Sequence, residues 1–188
     1  MIECDFLVIG AGPSGLYAAY YAGFRGFKVV VLDVLPEPGG QISAMYPEKD
    51  IFDVAGFAAV KGRDLVDGLL AQANQFSPTY VLGERAETLA TSEDGPVIVT
   101  TDKGTTIQAK AAVITGGIGS FTPRELPAGS EFVGKGLVYF VPRLEDHRDK
   151  DVVIVGGGDS AFDWAVSLHG IARSITIVHR RDSFRAHA

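Results

Sequence analysis

An α/β fold assembled from repeated β-α-β units is predicted by three observations. A short apolar strand, Phe6-Leu7-Val8-Ile9, runs into Gly10-Ala11-Gly12-Pro13-Ser14-Gly15 and then into a helical stretch. The same device returns as Val152-Val153-Ile154-Val155 followed by Gly156-Gly157-Gly158-Asp159-Ser160-Ala161. Both copies fit G-x-G-x-x-G/A at a strand-to-helix turn, the fingerprint of a Rossmann-like dinucleotide-binding domain. The third observation separates the copies. At an offset of 23 from the first glycine stands Asp33 in copy one (33 − 10) and His179 in copy two (179 − 156), the latter followed by Arg180 and Arg181. An acid at that place accepts hydrogen bonds from a ribose diol, whereas cations suit a 2′-phosphate. The chain therefore reads as two FAD/NAD(P)-binding domains, one for FAD or NAD and one for NADP.

The elements follow in order. Residues 2–9 form an apolar strand, 15–23 a helix rich in Ala, Leu and Tyr, and 28–32 a continuous apolar strand, as in a parallel sheet covered on both faces. Residues 36–47 hold Pro, Gly and Ser without periodicity and read as a loop. Residues 64–76 place Leu65, Leu69, Ala73 and Phe76 at helical spacing. Residues 97–101 and 105–109 are β-rich runs about the turn Asp102-Lys103-Gly104, which predicts a hairpin. Residues 111–115 are a further buried strand ending in Gly116-Gly117. The segment 118–137 is rich in Gly and Pro, and a domain boundary is placed there. It divides a FAD-binding part, 1–118, from a hinge and NADP-binding part, 119–188. A second β-α-β has its helix from 159 to about 169 and its strand at 174–178. A lone β-α-β leaves sheet faces bare, so the second domain, and the end of the first, are expected to be incomplete in this chain.

Composition narrows the classes. Of 188 residues, 46% are hydrophobic and 21% charged, which suits a soluble globular chain. A net charge of −6 argues against nucleic acid as main partner. The single Cys4 excludes a disulfide framework within these residues, and it is expected to pack as a small apolar group. No apolar run approaches the ~18 residues that span a bilayer, and the N-terminus lacks a signal-peptide pattern. A cytoplasmic protein is the expectation. His147, His169 and His187 show no metal-ligand spacing, so no metal is expected.

Each fingerprint position has a chemical task. Gly10 and Gly156 permit the tight turn, Gly12 and Gly158 let backbone approach a pyrophosphate, and Gly15 and Ala161 let helix and strand pack closely. The helix N-terminus then offers unpaired N–H groups and partial positive charge. Arg180, Arg181 and Arg185 can fork onto phosphate oxygens bidentately. Asp159, in the first turn of its helix, also suits the helix dipole. His179 is expected among the NADP-binding residues, with an exposed strand end as the other reading, and it has no catalytic task. Trp164 shares core spacing with Ala161 and Leu168. Gly39-Gly40-Gln41 can approach a cofactor, and Tyr46 suits either stacking on a ring or capping a core.

Longer strings carry a family likeness. Gly39-Gly40-Gln41, Tyr46-Pro47-Glu48-Lys49 and Asp53-Val54-Ala55-Gly56-Phe57 resemble the flavin loop of the thioredoxin-reductase-like ferredoxin–NADP reductases. Gly119-Ser120-Phe121-Thr122-Pro123-Arg124 is similar to their hinge, and His179-Arg180-Arg181-Asp182-Ser183-Phe184-Arg185-Ala186-His187 to their NADP segment. The resemblance implies FAD bound without a covalent link, and NADPH passing hydride to flavin N5. It implies single-electron transfer to ferredoxin or flavodoxin, and a homodimer. It assigns FAD contacts to Ser14, Asp33, Gln41, Tyr46, Ala86 and Phe121, with Tyr46 stacked on the isoalloxazine ring and Ala86 beside the adenine. Thioredoxin reductases carry C-x-x-C before the second fingerprint; here that stretch is Val138-Tyr139-Phe140-Val141-Pro142-Arg143. Family members also return to complete the FAD domain, so this chain is expected to be C-terminally truncated and a poor catalyst alone. The other readings are a binding module without turnover and a related NADPH-dependent reductase of quinones, dyes or a separate redox protein.

Overall fold

The computed structural model describes residues 1–92, 95–119 and 123–186. The chain divides into two compact units, Met1–Phe140 and Val141–Ala188.

In the first unit, strand β1 (Ile2–Ile9) leads through the glycine turn into helix α1 (Pro13–Phe24) and back into β2 (Val29–Asp33). Pro13 opens α1, where its missing N–H costs nothing. After β2 come a short helix α2 (Gly40–Met45), the two-residue strands β3 (Asp50–Ile51) and β4 (Val60–Lys61), and helix α3 (Gly62–Asn74). Strands β5 (Thr79–Leu82), β6 (Ala86–Ala90), β7 (Val97–Thr101) and β8 (Thr106–Ile114) complete the main elements.

Six strands form one sheet in the order β5-β2-β1-β8-β7-β6. β5, β2, β1 and β8 run parallel, and β7 and β6 are antiparallel additions. Alternate residues of β2 enter opposite faces. Val30 and Leu32 join Leu7, Val99 and Ile107 in one core cluster, while Val29 and Val31 join Val8 and the helix residues Ala19, Ala22 and Ala73 in another. Burial on both faces explains why β2 is an unbroken apolar run. A third cluster of Leu16, Ile42, Leu65 and Val66 ties α1, α2 and α3 together.

The sheet is strongly curled, as chain connectivity requires. β5 and β6 are its two edges, yet only Gly83, Glu84 and Arg85 join Leu82 to Ala86. A flat six-stranded sheet would hold its edges ~24 Å apart, from five spacings of ~4.8 Å. Four Cα–Cα steps reach at most ~14 Å. Hydrogen bonds close the gap: Glu84 N donates to Asp33 O at 3.1 Å, and Thr101 Oγ1 donates to Glu84 Oε2 at 2.6 Å.

Several expectations are corrected. The segment 36–47 contains α2, a single helical turn and a half held by Ile42 in the core. The separate strands at 105–109 and 111–115 are one strand, β8, paired with β1 along its length. Periodicity breaks at Lys110 because pairing skips it: Cys4 faces Ala109, then Phe6 faces Ala111. Cys4 and Leu7, three residues apart, consequently share one core cluster. Phe76 lies past the end of α3, where its ring meets Tyr20 and Phe24 of α1. The expected 97–101 hairpin is present, with Val97 opposite Ala109.

The second unit holds a one-turn 3₁₀ helix (Leu144–His147), β9 (Asp151–Val155), α4 (Asp159–Leu168) and β10 (Ser174–Val178). β9 and β10 pair in parallel with Val152 opposite Ile175. α4 buries Ala161 and Leu168, and Trp164 is half-buried beside them. The opposite strand face is bare: Val153 is 61% exposed and Val155 55%.

Candidate dinucleotide sites

The first site grows from the carboxyl ends of β1, β2 and β8. Strand order places β2 on one side of β1 and β8 on the other, so the chain leaves these ends in diverging directions. A cavity of about 590 Å³ opens there. Its floor is the first fingerprint. Gly10 takes φ +112°, and a Cβ on it would come within 2.5 Å of Thr115 O. A Cβ on Gly15 would overlap the Gly10 carbonyl, so this glycine packs behind the cavity. Gly12 differs: its φ is an ordinary −72°, and the nearest atom to a Cβ would be Gly40 Cα at 3.9 Å. The protein itself does not require a bare Gly12; its missing side chain leaves room for a ligand.

Asp33 ends β2 at 8% exposure. Its Oδ2 accepts from Ala11 N and its Oδ1 from Leu35 N at 2.8 Å. The carboxylate thus ties the glycine turn to the end of β2 while lining the cavity. Of the residues expected here, Gly10, Gly12, Pro13, Ser14, Asp33, Gly40, Gln41, Tyr46 and Ala86 line this one cavity. Phe121 lies outside the described residues.

Other lining residues escaped the sequence reading. Thr115, Gly116 and Gly117 follow β8. Thr115 Oγ1 donates to Gly10 O at 2.9 Å, and Gln41 Nε2 lies beside Gly117. The signal was available, because a buried strand ending in Thr-Gly-Gly should bring its carboxyl end to the ligand. Glu84 and Arg85 had no such signal; the curl of the sheet brings them to the rim. The Thr101 hydroxyl bond holds the Glu84 carboxyl below the usual carboxylate range.

The second site lies wholly in the second unit. Gly156 N bonds Val178 O at 3.0 Å, which closes the turn between β9 and β10. α4 begins at Asp159, with Gly158 as its cap and Ser160 and Ala161 in its first turn. Gly158 resembles Gly12: a Cβ there would meet nothing within 4 Å, and its φ is −106°. Gly157 is closed off by the His179 ring, which a Cβ would strike. His179 is therefore half-buried, not an exposed strand end. Its ring stacks on Phe184 at 5.5 Å, Phe184 meets Phe162 edge-on at 5.0 Å, and Arg185 N donates to Gly157 O at 2.7 Å. The segment after β10 thus returns to the glycine turn. Arg180, Arg181 and Arg185 all remain exposed.

Cys4 is buried in β1, where desolvation pushes its thiol up. Among the described residues no His, Cys, Asp and Glu cluster could hold a metal, and no helix is long and apolar enough to cross a membrane.

Two strand–glycine–helix turns, the first opening onto a cavity, define an α/β protein of the FAD/NAD(P)-binding fold. The family model for pyridine nucleotide-disulphide oxidoreductases matches residues 4–188, and the chain belongs to that family. It is 62% identical to a ferredoxin–NADP reductase of Frankia casuarinae over 96% of its own length and 56% of the relative's. A ferredoxin–NADP reductase of Nocardioides sp. is 63% identical, over 99% of this chain and 57% of that protein. The crystal structure of T. acidophilum thioredoxin reductase superposes with a TM-score of 0.77 at 25% identity, over all of this chain and 59% of that one. The chain therefore spans little more than half the length of the relatives it matches.

Proposed function

We propose that this chain supplies the dinucleotide sites of an FAD-dependent reductase that moves electrons between NADPH and ferredoxin or flavodoxin. The observation that carries the reading is the 62% identity, across 96% of the chain, to a protein named ferredoxin–NADP reductase. On this reading residues 1–118 bind FAD and residues 119–188 provide the hinge and the NADP site. The homodimer and the cytoplasmic location rest on the family resemblance described above.

The residues fit the cofactors. The cavity volume lies within the ~300–1,000 Å³ of small-molecule and cofactor sites. Gly12 leaves room for a pyrophosphate, and the first-turn amides of α1 lack intrahelical acceptors. Asp33 holds free lone pairs for the ribose diol, and Tyr46 offers a ring face. In the second unit Gly158 gives the same room, and Arg180, Arg181 and Arg185 supply cations for a 2′-phosphate. When bound, the flavin supplies the link between two-electron and one-electron chemistry. The protein binds, orients and excludes water. No side chain is needed as general acid or base. Disulfide exchange lacks a dithiol within these residues, since the one cysteine is buried.

The 188-residue chain, titrated with FAD, should develop a bound-flavin absorption band that NADPH bleaches, with only slow and poorly coupled reduction of ferredoxin. Replacing Arg180 and Arg181 by neutral residues should weaken NADPH binding by roughly 1.5–3 kcal/mol per lost charge-assisted hydrogen bond, with NADH little affected. Absence of a flavin band, or an unchanged preference for NADPH in the double variant, contradicts the proposal.

A further inference from the structure

The loop that carries Tyr46 is clasped by the start of α3. That helix has no side-chain cap. Instead Gly62 N donates to Lys49 O at 3.0 Å and Arg63 N to Pro47 O at 2.8 Å. First-turn amides need outside acceptors, and here the loop's carbonyls serve. Gly62 must be bare for this approach, because a Cβ would come within 2.7 Å of Ile42 Cγ2 and 2.8 Å of Tyr46 O. Side chains close the clasp from the other side. Arg63 Nη2 donates to Glu48 Oε1, and Lys61 Nζ stands 3.7 Å from Glu48 Oε2. The Glu48 side chain is 14% exposed, whereas its cations are about half exposed. The short β3–β4 pairing, Asp50 with Lys61 and Ile51 with Val60, extends the same join.

Tyr46 lies at the cavity end of this arrangement. Its amide ends α2 by donating to Ile42 O at 3.2 Å, and its side chain lines the cavity. Glu48 stands two residues on, and neither Glu48 nor Arg63 lines the cavity. An exposed ion pair would contribute little. A mostly buried carboxylate is different, because removing its partner leaves a charge short of donors. The loop can answer only by shifting, and Tyr46 shifts with it.

We propose that Glu48 and Arg63 are positioning residues: by clasping the 46–49 loop they set the pose of the Tyr46 ring against the flavin. This rests on the reading of the cavity as the flavin site. The pair acts through Tyr46 and touches no reacting atom.

The test uses the FAD-loaded protein and four variants: Glu48→Gln, Arg63→Met, Arg63→Lys and, as reference, Tyr46→Ala. Visible-region circular dichroism of the bound flavin reports ring environment, flavin fluorescence gives the FAD dissociation constant, and melting of the flavin-free protein reports the fold. Glu48→Gln and Arg63→Met should move the flavin spectrum toward that of Tyr46→Ala and raise the dissociation constant several-fold. The flavin-free melts should stay close to the parent, and Arg63→Lys should recover part of the parental spectrum. A parental flavin spectrum in Glu48→Gln and Arg63→Met, beside a changed one in Tyr46→Ala, overturns the clasp alone. An unchanged spectrum in Tyr46→Ala overturns the flavin reading of this cavity, and the clasp with it. Flavin-free variants that melt far below the parent, without recovery in Arg63→Lys, make the pair purely structural and also overturn the proposal.

Discussion

Asp33 shows how one side chain can serve fold and ligand together. Its two oxygens accept from Ala11 N and Leu35 N, and the residue lines the cavity. The diol role proposed for Asp33 comes from the offset to Gly10; the two internal bonds could not be read from the sequence. Asp33→Asn keeps the shape but sets an NH₂ group against a backbone donor. It should therefore weaken FAD binding and also lower stability by about 1–3 kcal/mol, the cost of stranding a buried polar group. FAD titration and denaturant unfolding of the same preparations would measure both. Parental flavin occupancy would remove Asp33 from the site, and parental stability would mean that its internal bonds contribute nothing.

The packing of α1 on Phe76 sets helix propensity against close approach. On an exposed helix Gly→Ala gains roughly 0.5–1 kcal/mol. At Gly23 the added Cβ would lie 2.8 Å from Phe76 Cγ and closer still to Phe76 Cβ, which cannot swing away. Overpacking typically costs ~1–3 kcal/mol. Gly23→Ala should thus destabilise, read as a lower urea midpoint with unchanged slope; a raised midpoint would show that the helices slide apart freely. Between β1 and β8, Asp5 Oδ2 accepts from Lys28 N at 2.8 Å, and Lys110 Nζ lies 2.8 Å from Asp5 Oδ1. The bond to Lys110, with that to Lys28, holds the Asp5 carboxyl below its ordinary value. A carboxylate lowered in the folded state adds stability above the ordinary aspartate value of about 3.9, and loses it as pH falls through the folded value. Asp5→Asn should flatten the acid side of the stability curve below about pH 4. An identical pH profile in parent and variant would rule this out.

The two units differ in how much apolar surface they hide. In the first, Leu7, Val8, Val30, Val31 and Leu32 are wholly buried. In the second, one strand face stays open, with Val178 48% exposed in addition to Val153 and Val155. Opening free energy follows buried apolar contact, so the amides of β9 and β10 in the 188-residue chain should exchange with deuterium well before those of β1 and β2. Equal protection in all four strands would show that the second unit is as tightly held as the first.

Local pattern determined much about this protein. The strand–glycine–helix turns, the acid at one offset and the cations at the other, and the 97–101 hairpin all depend on residues near in sequence, whose spacing follows from backbone period and steric need. Tertiary structure decided the rest. α2 has too few residues to show a period and exists because Ile42 reaches the core. β8 crosses Lys110 without breaking because β1 skips a residue at the same level. Glu84 and Arg85 reach the cavity because the sheet curls far enough for a three-residue link to join its edges. Glu48 meets Arg63 because the start of α3 takes the Tyr46 loop as its cap. Each of these depends on contacts between segments distant in the chain, and such contacts leave no periodic trace in the residues that make them.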